Sequence, residues 1–297
     1  MSPPLHRWID GIAAAWLQPP NLPRVDFAQP RGEEALVGPH SVSWRVFKNP
    51  VALLVGGIAA VILELAEPRV RAGVWEHSSF RTDPVGRLQR TGLAANVTVY
   101  GARSVAERMI AGVVRRHGAV SGTLPGGEAY HARDPALLTW VHATAAFGFA
   151  EAYGRYVRPL GREAFDRLYA EGVPAARLYG ATDAPASGAG LHALFASMHG
   201  RLEASPVIFE FLDIMRAAPI LPAPLRPAQR LLVRAAVEMV PGWVRDRLGL
   251  TTTHGLRGWE PLARRLGRLS DRVVLRSGPA AQSCLRLGLP ADTLYRS

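Results

Sequence analysis

Cysteine occurs once in this 297-residue chain, as Cys284, and lysine once, as Lys48. A single thiol excludes an intrachain disulfide and any metal cage built from cysteines. Long hydrophobic runs are missing too. The most apolar stretch, Val51 to Leu63, is stopped by Glu64, Glu67 and Pro68. A membrane-crossing helix needs roughly 20 apolar residues, so this stretch is expected to be a buried core helix. The start of the chain, with an apolar patch broken at Asp10, matches a secretory signal poorly. A cytoplasmic location is expected. The proline-rich, tryptophan-containing N-terminal segment leaves peripheral membrane contact open. A Walker phosphate loop, a dinucleotide fingerprint, a His-Glu-x-x-His zinc motif and a Gly-x-Ser-x-Gly elbow are all absent, which removes nucleotide-driven and serine-hydrolase chemistry from the leading readings.

With 48% hydrophobic and 20% charged residues, the composition is that of a folded globular chain. The formal charge is +11, nearly all of its basic side arginine, and residues from Arg201 onward contribute +7 of it. That basic third lacks the aromatic interleaving of a nucleic-acid binder, so no nucleic acid is expected as partner. Its arginines are expected to form solvated helix faces or to meet a lipid surface or an electron donor. No obligate protein partner is evident.

Proline and glycine punctuation divides the chain into helices, and the expected fold class is all-α, a single multi-helix domain. Residues 1–45 carry seven prolines and read as an arm with one short helix around Ile9 to Leu17. Asn49-Pro50, Asp83-Pro84 and Asp134-Pro135 each place proline in a first helical turn behind a capping side chain. They open helices expected to reach Ala66, the neighbourhood of Gly101, and Val157. Between them come helices from Arg69 to Trp75 and from Ser104 to Val120, then a glycine-rich turn at Gly122 to Gly127. Further helices are expected at 161–171, 189–200, 206–217, 227–239, 241–248 and 259–276. No strand signal exceeds short β-branched runs such as Val97 to Tyr100.

Two histidines point inward by periodicity. Ile110, Val113, Val114 and His117 recur at spacings of three and four, as do Leu138, Val141, His142, Ala145 and Phe149. By default these are hydrogen-bonded core residues, and Arg87 and Thr91, four apart, an ordinary helical polar pair. A haem would ask for an axial nitrogen, an apolar slot and cations for its propionates. His117 or His142 meets the first need, Phe147, Phe149, Val113 and Leu138 the second, and Arg87, Arg90 or Arg115 the third. Glu64 and Glu67 end an apolar helix, where a carboxylate is costly unless paired. They could pair with these arginines, or one of them could act as a general base with a raised pKa.

The segments ILELAEPRVRAGVWEHSSFRTDPVGRLQRT, VTVYGARSVAERMIAGVVRRHGAVSG, YHARDPALLTWVHATAAFGFAEAYGRY and LYAEGVPAARLYG, in that order, resemble the catalytic domain shared by MpaB-type oxygenases and the bacterial rubber oxygenase. The resemblance runs over roughly residues 45 to 250. It implies a helical fold enclosing a haem pocket, with haem b and its iron as cofactor, and an oxygenase that uses dioxygen on an apolar substrate, for example an isoprenoid. It further implies His117 as the axial metal ligand, with His142 as second candidate or pocket residue. Arg87 and Thr91 would stand at the propionate or distal side, with Arg90 beside them in the cofactor site, and Glu64 or Glu67 would be the base. Two departures stand out: Arg90 occupies the place of a distal lysine, and an always-protonated guanidinium is a poor iron ligand; Glu67 stands where many relatives carry histidine. The first implies a five-coordinate iron or a distal site closed by water, and either one counts against cleavage of a polymer specifically. The expected organisation is an arm over 1–45, an oxygenase-like domain over 46–250 and a basic extension over 251–297 packed on it. The alternative function is a non-catalytic haem or lipid-binding helical protein, peripheral to a membrane.

Overall fold

The computed structural model describes residues 3–251 and 254–296, with backbone alone for 3–9. Among the described residues the fold is all-α, with a single two-stranded sheet. Helices α1 (Pro3–Leu17) and α2 (Val42–Phe47) precede the central α3 (Pro50–Ala66), then come α4 (Pro68–His77), α5 (Pro84–Tyr100) and α6 (Arg103–His117). A small antiparallel hairpin, β1 (Ser121–Thr123) with β2 (Ala129–His131), leads to α7 (Pro135–Tyr156) and α8 (Arg162–Tyr179). The remainder is α9 (Gly188–Ser197), α10 (Pro206–Ala217), α11 (Arg226–Met239), α12 (Gly242–Leu248), α13 (Glu260–Ser270) and α14 (Pro279–Arg286).

Helices α3 and α7 form the axis of the main core, and small residues let their backbones touch. A Cβ at Gly56 would lie 2.6 Å from the Gly148 carbonyl oxygen, and one at Gly148 would press on the Gly56 carbonyl. Both helices begin as the sequence predicts: the side chains of Asn49 and Asp134 accept from Ala52 N and Ala136 N, and proline occupies the first turn. The Asn49 amide also donates to the Gly267 carbonyl at 3.0 Å. This ties the start of α3 to α13, whose Gly267 leaves room for the Tyr156 carbonyl. Beside it lies the buried pair of Lys48 and Asp271, 3.3 Å apart.

Helix α3 ends at a sharp corner, with α4 leaving at 112°. No helix among the described residues is long and apolar enough to cross a membrane.

A second, smaller core gathers Phe27, Trp44, Leu93, Val97, Tyr100, Ala106 and Cys284 under the N-terminal arm, with Trp16 and Phe47 bordering both cores. The Val97 to Tyr100 run is the last turn of α5, as expected, and its inward side chains pack in this second core. Several other elements depart from the expectations above. Helix α8 continues through Pro174 to Tyr179, α13 stops at Ser270, and α14 and α2 appear where no helix is expected.

Candidate functional site

Helix α5 packs on α6, α6 and α7 both pack on α8, and α7 also crosses α3. The chemistry-bearing residues of the sequence lie on these helices. Glu64, in the last turn of α3, has the Arg87 guanidinium of α5 and the Thr144 hydroxyl of α7 beside it. Burial outweighs both neighbours and raises the carboxyl to about 7. Glu64 nonetheless keeps some accessible surface. Arg87 in turn is desolvated and attracted by Glu64. It donates to the Thr91 hydroxyl, which donates back to the Arg87 carbonyl at 2.9 Å, and its guanidinium lies over the buried Phe80 ring, 5.4 Å from the centroid.

His117 is the last residue of α6, with the half-buried Val113 and Val114 on its own face. Desolvation, and then the charge of Arg87, lower its pKa. Its buried Nδ1 has no hydrogen-bond partner among the described residues. His142, in mid-α7, is pushed down to about 4 by burial alone, and its Nε2 is likewise unpartnered. A Cβ at Gly172 would stand 3.1 Å from that Nε2, so the ring lies flush against the α8 backbone. Two neutral imidazoles with free nitrogens are thus held in one helical group. Of the two, His142 abuts a neighbouring helix through its unpartnered nitrogen.

Other residues singled out by sequence go elsewhere. Glu67 is buried at the α3–α4 corner: Oε2 accepts from Val70 N and Oε1 from Arg69 Nε, both at 2.8 Å. Both of its oxygens serve that corner, so Glu64 is the carboxylate that joins Arg87. Arg90 donates to Ser79 Oγ and to Asp83 Oδ2 at 2.6 and 3.3 Å. Arg115 is exposed. Phe149 packs against Phe47, but Phe147, two residues away on the opposite side of α7, packs against Phe195 of α9.

One contact between these helices escaped sequence reasoning. Thr98 on α5 shares a hydrogen bond with the Tyr179 hydroxyl of α8, 3.0 Å. Its place eleven residues after Arg87, on the same helical face, was the available signal.

The donor set constrains what this group could hold. Among the described residues no three His, Cys, Asp or Glu side chains gather as a metal site. A metal here would take most of its donors from a bound macrocycle and at most one or two from imidazoles. The neutral, unpartnered form of His117 suits that role.

Comparison with curated proteins gave no match, and neither did comparison with solved structures. A family model does match, over residues 44–272, from α2 through the end of α13. It describes the catalytic domain of the ER-bound oxygenase mpaB/B' and rubber oxygenase. Since this spans most of the fold and every element of the site, the chain belongs to the mpaB and rubber oxygenase catalytic-domain family.

Proposed function

We propose that the protein is a haem b-dependent oxygenase acting on an apolar substrate, with His117 as the axial ligand of the iron. The observation that carries this reading is the buried, unpartnered nitrogen of His117, kept neutral by desolvation and by Arg87. Such a nitrogen lacks a partner that a coordinated metal would provide. Bound haem would supply the redox centre at which dioxygen reacts.

The chain's own residues divide the remaining work. Arg87, braced by Thr91, presents a cation to a propionate or to the distal side. Glu64 is the proton acceptor: with its pKa near 7 it holds and releases a proton around neutrality, the range in which a general base is most effective. His142, uncharged down to about pH 4, acts as a pocket wall against α8. The partly accessible apolar residues Val113, Val114, Val141 and Phe149 give an alkene a surface that sheds water.

The test is the ultraviolet–visible spectrum of protein purified from haem-supplemented cells. A Soret band that is lost or shifted in His117→Ala is expected, and a colourless wild type overturns the reading. Oxygen uptake with isoprenoid alkenes then separates an oxygenase from a haem carrier. Activity is expected to rise with pH through about 7 and to be lost in Glu64→Gln.

A further inference from the structure

We infer that α13 docks the protein onto an anionic lipid surface, lying in the plane of the interface. Three of the six exposed large apolar side chains among the described residues belong to this helix and its cap: Trp259, Leu262 and Leu269, 57%, 39% and 50% accessible. With the partly buried Leu266 they recur at spacings of three, four and three. That spacing draws one line along a helix, about 15 Å long at 1.5 Å per residue. The line is an edge rather than the packed face, since Ala263 and Gly267 make the contact with the domain.

Beside it lies a shallow, open groove between this segment's own side chains, lined by Arg264, Arg265, Arg268 and Arg272 together with Pro261, Glu260 and Leu269. The local acids do not neutralise it. Glu260 is shared between Arg155 and Arg264, and the buried Asp271 faces Lys48 and Arg158. Arg265, Arg268 and Arg272 have no acidic partner among the described residues.

A basic groove alone suits any anion, and an apolar edge alone suits any hydrophobic partner. The two side by side on one straight helix fit a surface with phosphates at one depth and acyl chains just beneath. Tryptophan at the helix start suits the headgroup level. This docking does not depend on haem or on the proposed reaction.

Flotation of the full chain with phosphatidylcholine vesicles, with and without phosphatidylglycerol, tests it. Binding is expected only with phosphatidylglycerol, and it should weaken with salt. Each arginine near an anionic surface is worth about a five-fold change in partitioning, so Arg265→Glu/Arg268→Glu/Arg272→Glu should weaken binding by about 100-fold or more. Leu262→Ser/Leu269→Ser should weaken it by about ten-fold while leaving the salt dependence in place. All five side chains substituted are exposed, so far-ultraviolet circular dichroism should match wild type. Failure of the wild type to bind anionic vesicles overturns the inference, as does wild-type binding by the arginine variant. If inorganic phosphate or soluble polyglutamate displaces the protein from vesicles, and the leucine variant binds like wild type, the groove is an anion or protein site instead.

Discussion

Glu64 and His142 sit on helices that cross each other, and burial moves their pKa values in opposite directions because it disfavours the charged form of each. For Glu64 the folded value of about 7 lies above the ordinary carboxyl value of 4.5. The native state therefore keeps a proton that the unfolded chain has lost, and stability falls as pH rises from about 4.5 to 7. Urea titrations should show Glu64→Gln gaining on wild type between pH 5 and pH 8, by no more than about 3 kcal/mol. His142, lowered from 6.5 to about 4, has the opposite consequence. Its contribution is present above 6.5 and is lost as pH falls through 4, so His142→Gln should blunt acid unfolding. At this scale the inward histidines were legible because helical spacing places them among apolar residues. The choice between Glu64 and Glu67 was not, because it depends on the corner between α3 and α4, where Glu67 caps α4 and leaves Glu64 to meet Arg87.

Helices α3 and α7 test packing against propensity through one glycine on each. At Gly148 an added Cβ meets backbone of α3, whereas at Gly57 its nearest contact is a Phe149 ring carbon at 3.9 Å. Gly148→Ala should therefore destabilise by roughly 3 kcal/mol or more, since neither backbone can yield cheaply. Gly57→Ala should be neutral or gain up to about 1 kcal/mol from helix propensity. Urea midpoints of the two variants decide it. The three Asx-Pro starts were readable because both parts of the signal are local. Helix α2 was hidden because it is only six residues long, and its Ser41 cap is supplemented from afar: Glu171 of α8 accepts from Val42 N, Ser43 N and Ser43 Oγ. The run of α8 through Pro174 was hidden for the same kind of reason. An interior proline costs about 3 kcal/mol, and burial of Ala175 and Ala176 with the Tyr179–Thr98 bond holds the helix together beyond it. The hairpin was read as a turn because its strands are three residues each, too short for a period to show.

Across the whole molecule, the arm and the C-terminal segment form a second core, locked by Arg286. Its Nε donates to the Glu33 carbonyl and its Nη1 to the Phe27 carbonyl, both at 2.8 Å, while its own carbonyl accepts from Gly32 N. Arg286→Met leaves those carbonyls buried and unpaired. Limited proteolysis should then cut within residues 18–41 well before the main domain opens, with the His117 site unaltered. The scarcity of lysine and cysteine gives this arrangement a practical reading. Cys284 is fully buried in the second core. Lys48 lies on the seam, held by Asp271 after α13 and 4.5 Å from the Tyr295 ring that borders the second core. A thiol reagent thus reports when the second core exposes its interior, and an amine reagent followed at the Lys48 peptide reports when the seam parts. The molecule carries two single-copy clocks, and the order in which they start would reveal whether the arm peels away before the helices around α3 let go.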